Sequence, residues 1–123
     1  MTDAAKLRLS FDQALANAER ARPKMRLVGF LVELVGRGKG PGYWSLTAYF
    51  QPRDADPPWS GPLWMVPPEV GQCFPPDGLV GVKLAGDDSG DASAEGTVGL
   101  QWAREISASL GLPEPTVFAR ADA

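Results

Sequence analysis

The stretch "MRLVGFLVELV", residues 25 to 35, decides the fold. Leu27, Phe30, Leu31, Val32, Leu34 and Val35 make it apolar at both parities, which suits a strand covered on both faces rather than one with a wet side. It predicts the central strand of a sheet. Downstream, after "GRGKGPG", residues 43 to 51 alternate: Trp44, Leu46, Ala48 and Phe50 share one face, and Tyr43, Ser45, Thr47 and Tyr49 the other. The two segments read as a hairpin joined by a flexible glycine-rich connection.

Upstream, Ala4, Leu7, Phe11, Ala14, Leu15, Ala18 and Ala21 recur at three- and four-residue spacing and predict a helix ended by Pro23, with Arg20 and Arg22 favourably placed at its C-terminal end. A second arrangement is open: Leu7, Leu9 and Phe11 alternate, and Ser10 with Gln13 can form a capping box, giving a short strand to Leu9 and a helix from Ser10. One helix is preferred. Further strands are expected near Leu63 to Val66 and at Val80, Val82 and Leu84, with a mobile polar loop over residues 87 to 96. From Thr97 the period is helical, with Val98, Trp102, Ile106 and Leu110 on one stripe and Gly111, Leu112 and Pro113 as the stop. "TVFA", residues 116 to 119, can add an edge strand.

The expected fold is therefore α+β: a four- or five-stranded, mainly antiparallel meander with an N-terminal and a C-terminal helix, in one domain over residues 1–123. A chain of 123 residues buries roughly two thirds of its unfolded surface and needs no staple. Its 14 glycines and 12 prolines indicate many turns. The one cysteine, Cys73, excludes an internal disulfide and reads as a small packed thiol, and the absence of histidine leaves no tetrahedral zinc set and no triad of the usual kind. No metal or other cofactor is expected. No apolar run has the length of a signal peptide or a membrane span, so a cytoplasmic home without a membrane partner is the expectation.

Several motifs invite chemistry, and each has a plainer reading. "GRGKGPG" precedes a strand, not the helix N-terminus that a phosphate loop requires, and reads first as the hairpin connection. Asp87, Asp88, Asp91 and Glu95 lack EF-hand spacing, since Val98 stands where a bidentate Glu is needed. Asp54 and Asp56 in "PRDADPP" are turn residues before they are a catalytic pair.

Charge is uneven. Residues 1–39 hold eight Lys or Arg against four acids (+4), and residues 40–123 four against eleven (−7). Two differently charged solvated faces account for this, as does a surface for an anionic partner. Arg20, Arg22, Lys24, Arg26, Arg37 and Lys39 are expected to share one end of the molecule, and Arg22, Lys24, Arg37 and Lys39 are the candidate phosphate contacts of a nucleic-acid-binding module. An acidic pI of about 4.8 argues against that module.

"PPWSGPLWMVPP", residues 57 to 68, concentrates apolar side chains between prolines, which confine it to a sheet edge or an extended loop. Trp59 and Trp64 can cap the core beside Trp44 or Trp102, or remain outside as rigid anchors for a partner. The leading expectation is a non-catalytic protein–protein interaction domain, such as a small inhibitor or immunity-type factor, an adaptor or a structural subunit. Its partner would be another protein, met by Trp59, Leu63, Trp64 and Met65. Nucleic-acid binding and a carboxylate-dependent enzyme are the alternatives.

Overall fold

The computed structural model describes residues 3–37, 40–55, 59, 79–87 and 92–122. In chain order these form α1 (Asp3–Arg20), β1 (Met25–Arg37), β2 (Gly40–Pro52), β3 (Val80–Asp87), α2 (Ala92–Leu110) and β4 (Thr116–Asp122). The four strands lie in the order β3-β2-β1-β4, so β1 is central. The expected strand near Leu63 to Val66, and Cys73, lie outside the described residues.

A single helix forms from Asp3, with no strand over residues 3–9. The capping box is not used: Ser10 sits mid-helix and its hydroxyl donates to the Leu7 carbonyl at 2.7 Å, one turn back. Phe11, Leu15 and Ala18 are buried at helical spacing.

β1 and β2 pair antiparallel from Met25↔Pro52 to Arg37↔Gly40. The ladder thus takes in much of "GRGKGPG", leaving only residues 38–39 between the strands, because glycine accepts extended backbone as readily as a turn. A register shift between Leu27 and Gly29 changes the parity of β1. Leu27, Phe30 and Val32 join the helix-side core, whereas Val28 and Leu31 pack on the opposite face. Both faces of the central strand are covered, as its composition predicts.

Two corrections concern the C-terminal half. Residues 87 to 96 are not one loop: Asp87 closes β3, and α2 starts at Ala92 rather than Thr97. The polar composition of residues 87 to 96 was misleading, and Gly96 and Gly99 serve as close-packing positions of the helix against the sheet. The sheet is also not a pure meander. β4 pairs with β1 in parallel, from Leu31↔Thr116 to Arg37↔Asp122, as the α2 crossover permits. The sheet is mixed and mostly antiparallel, and the fold is α+β. Helix α2 stops as expected: Leu112 N–H donates to Ser107 O at 2.9 Å and Gly111 N–H to Ala108 O at 3.4 Å, with Gly111 at φ 68°.

Both helices lie on one face of the sheet. Phe11 meets Trp44 and Trp102 edge-on at centroid distances of 6.0 and 5.6 Å, and Phe30 meets Trp102 at 5.4 Å. Trp44 and Trp102 are buried, as their stripes predict; Leu110, at the end of its stripe, is 57% exposed. On the opposite face Val28, Leu31, Tyr49 and Leu79 form a second cluster, and Trp59 packs on it. Tyr49 lies flat over Gly81 on β3, where a β-carbon would come within 2.9 Å of its ring.

Candidate interaction surface

One end of the sheet, where α1 ends, β1 begins and β2 leaves, gathers the chain's exposed chemistry. At the end of helix α1 the Asn17 and Glu19 carbonyls accept from the Ala21 and Arg22 N–H groups, and a cation serves the Ala18 carbonyl. Arg22 Nη1 donates to Ala18 O at 3.3 Å while its guanidinium lies 5.9 Å from the Phe50 ring centroid. Arg20 Nη2 donates to Asn17 Oδ1 at 2.9 Å. The chain then turns tightly, Met25 N–H to Arg22 O at 3.0 Å, and enters β1.

The exit of β2 is tied to that entry. Arg53 N–H donates to Lys24 O at 3.0 Å and Arg53 Nε to Pro23 O at 3.1 Å. Arg26 Nη2 reaches Ala55 O at 3.4 Å, and Arg26 pairs across the ladder with Gln51. The fully buried Gln51 accepts the Trp59 backbone N–H through Oε1 at 3.1 Å. Gln51, the cross-strand partner of Arg26, thus holds the backbone of half-buried Trp59. Among the described residues, the buried Arg26 Nε and Gln51 Nε2 have no hydrogen-bond partner.

Between the last turn of α1 and the start of β1 lies an open cleft of roughly 580 Å³, walled by Glu19 and Arg20, floored by Met25, Arg26 and Leu27 and closed by Arg53. Five cations, Arg20, Arg22, Lys24, Arg26 and Arg53, meet only Glu19 and Asp54 among the acids described there. This positive end belongs to a chain of net charge −3.

The sequence-derived residues thus divide. Arg22 and Lys24 lie at this end, whereas Trp59 packs on the sheet face opposite the helices, tied to Gln51. Arg37 stands at the far end of β1, about 40 Å away for a 13-residue strand, so the expectation that all six cations share one end is corrected. Lys39, Leu63, Trp64 and Met65 lie outside the described residues. Arg53 was missed as a member of the basic end, because only the β1–β2 register carries residue 53 back to Lys24. That register follows from the alternation of residues 43 to 51 paired with residues 25 to 35.

Elsewhere the polar groups are mainly structural. On the face opposite the helices, Ser45 Oγ donates to Glu33 Oε1 at 2.8 Å and Tyr43 OH to Glu33 Oε2 at 3.3 Å, so both carboxylate oxygens accept. Burial, and secondarily the Glu33 carboxylate, push the Tyr49 phenol far above its ordinary range. Asp54 lies in an exposed turn and Glu95 in the first turn of α2; Asp56, Asp88 and Asp91 are outside the described residues. Among the described residues no group of three His, Cys, Asp or Glu could hold a metal ion, and no helix is long and apolar enough to cross a membrane.

Comparison with family models, curated proteins and solved structures finds no match to this chain.

Proposed function

We propose that the protein is a non-catalytic protein-interaction domain that meets its partner with the sheet end carrying Trp59 and the arginine cleft. The observation that carries this reading is the tether Trp59 N–H···Oε1 Gln51, with Gln51 paired to Arg26. It fixes the backbone of a half-buried tryptophan on the sheet face opposite the helices, against the strand position that pairs with Arg26. Tryptophan and arginine are the residue types that most often anchor protein interfaces, and a preset ring loses little entropy on binding. Glu33 is engaged in the sheet, since both its oxygens accept from Ser45 and Tyr43.

The test is affinity capture from native lysate with intact protein and with Trp59→Ala and Arg26→Gln, each variant first checked for an unchanged melting temperature. A protein retained stoichiometrically by the intact chain and lost from both variants is the expected result. Retention of nucleic acid instead, released by salt, would replace this reading with the nucleic-acid one.

A further inference from the structure

Strand β4 lies at one edge of the sheet, paired in parallel with β1, and among the described residues no strand runs beyond it. Val117 stands opposite Val32 and Phe118 opposite Glu33, so their side chains lie on opposite faces of the strand. Both are exposed, at 39% and 40%, and Ala119 after them is exposed as well. Sheet edges are commonly blunted by a lysine, a proline, a bulge or a covering helix. Strand β3, at the other edge, follows that rule. Leu84 bulges out of its ladder between the Lys83 and Ala85 pairs, the exposed Lys83 side chain lies against Gly86, and α1 packs on it. Strand β4 has no lysine or proline, its ladder runs without a register shift, and the helices pack chiefly on the other three strands.

From this contrast we infer that β4 is where two copies of the chain join, antiparallel and edge to edge, into one sheet continuous through both. Exposure on both faces selects a strand as the occupant. A helix or loop laid on one face would cover either Val117 or Phe118, whereas a chain running alongside the edge touches both. In a parallel edge strand, alternate residues also turn their N–H and C=O groups away from the neighbour, a row of donors and acceptors for that chain.

The residues of β4 select a second copy. With a twofold axis at Ala119 all seven strand positions overlap: Thr116 stands opposite Asp122, Val117 opposite Ala121 and Phe118 opposite Arg120. No like charges meet, and the branched Val117 falls opposite a small residue. One Arg and one Asp leave the edge neutral, free of the net charge of −3 that holds two copies apart elsewhere. Such a contact uses the same strand twice and closes at the dimer, whereas β4 added to β3 would leave free edges for a filament, which the bulge and Lys83 oppose.

This contact is separate from the proposed role of Trp59. Sedimentation of the intact protein over a concentration series tests it, and the expected result is a monomer–dimer equilibrium reaching twice the 13.1 kDa chain mass. Val117→Lys and Phe118→Lys, both at exposed positions, should each raise the dimer dissociation constant about tenfold or more. Val117→Thr, which keeps the branched shape, should change it by less than about threefold. A short bis-maleimide should link two copies of Ala119→Cys through position 119, as read by peptide mass mapping. Melting temperatures serve as the folding control, and the cross-link decides the question should a lysine variant fail to fold.

The inference fails if the intact protein sediments as a monomer at every concentration, if the dimer survives both lysine substitutions, or if the link at position 119 does not form. A monomer whose captured partner is lost with Val117→Lys would give the edge to that partner instead of a second copy. Loss of the dimer with Trp59→Ala but not with Val117→Lys would move the contact to the tryptophan and overturn this inference. A β4 dimer beside partner capture indifferent to Trp59 would overturn the proposed function alone.

Discussion

Gly96 lies directly against Trp44: a β-carbon at position 96 would stand 3.1 Å from Trp44 Cβ and would strike Leu34 Cδ2. One turn on, a β-carbon at Gly99 would meet Trp44 Cζ3 at 3.4 Å and Leu46 Cδ2 and Phe11 Cε2 at 3.9 Å, all ordinary contacts. These two glycines let α2 settle onto β1 and β2, at a helix-propensity cost of about 1 kcal/mol each relative to alanine.

Alanine at the two positions should have opposite effects. At Gly99 it should be neutral or stabilise by up to about 1 kcal/mol, since propensity is gained and nothing clashes. At Gly96 the neighbour is the Cβ of a buried tryptophan, which cannot swing aside as the Leu34 tip can, so overpacking of about 1–3 kcal/mol should outweigh that gain. Urea denaturation of the single variants decides it, and a Gly96→Ala protein more stable than the parent would show that α2 is not held close at this point.

These glycines also show where the sequence stops being readable. Alternation in residues 43 to 51 and two-sided apolarity in residues 25 to 35 are local, so the hairpin and its two-faced burial can be read directly. A glycine that packs a helix onto a sheet looks the same as one that breaks a helix. The start of α2 at Ala92 was therefore hidden, although Gly96, Gly99 and Ala103 form a small-residue stripe beside Trp102 that could have revealed it. The parallel pairing of β4 left no local trace, because alternation does not say which strand lies alongside. Of the candidate site, the tryptophan and the cations were visible as residue types. The tether of Trp59 was not, since it depends on Gln51, whose side chain accepts the Trp59 N–H and whose strand position faces Arg26.

The contact between Trp102 and Asp12 should carry measurable stability. Trp102 Nε1 donates to Asp12 Oδ1 at 2.8 Å across the interface of α1 and α2, and the indole is 2% exposed. Removing the acceptor with Asp12→Ala leaves a buried N–H without a partner, at an expected cost of about 1–3 kcal/mol. Asp12→Asn keeps an oxygen in place and should recover at least half of the loss. If both variants unfold at the same denaturant concentration as the parent, the bond contributes nothing to stability.

Alkaline unfolding should report Tyr49. Its phenol is raised by burial and by Glu33, so the folded chain holds the proton while the unfolded chain releases it near pH 10. The stability from keeping it neutral is full below that pH and declines as pH rises through and beyond it, by up to about 1.4 kcal/mol per pH unit. Tyr49→Phe removes this group's titration, so its stability should fall less steeply above pH 10 than that of the parent. Parallel curves for the two proteins would mean that Tyr49 ionises as freely folded as unfolded.

The tryptophans should separate into two classes. Trp44 and Trp102 are 3% and 2% exposed within the aromatic cluster beneath the helices, so truncation to alanine should cost about 3–5 kcal/mol. Among the described residues Trp59 packs on the smaller cluster of Val28, Leu31, Tyr49 and Leu79, and it is half buried. Its truncation should cost no more than about 2 kcal/mol, because it forfeits partial burial of apolar area rather than opening an enclosed cavity. The backbone bond to Gln51 does not involve the side chain and should persist. Binding should move the other way: Trp59→Ala is expected to weaken partner affinity by about 2 kcal/mol or more, the range of an anchoring residue. Chemical denaturation of the three variants, set beside titration with the captured partner, gives both quantities. A Trp59→Ala protein as unstable as Trp44→Ala would make the ring a cap on the second core, and the case for this end of the sheet as an interface would lose its anchor.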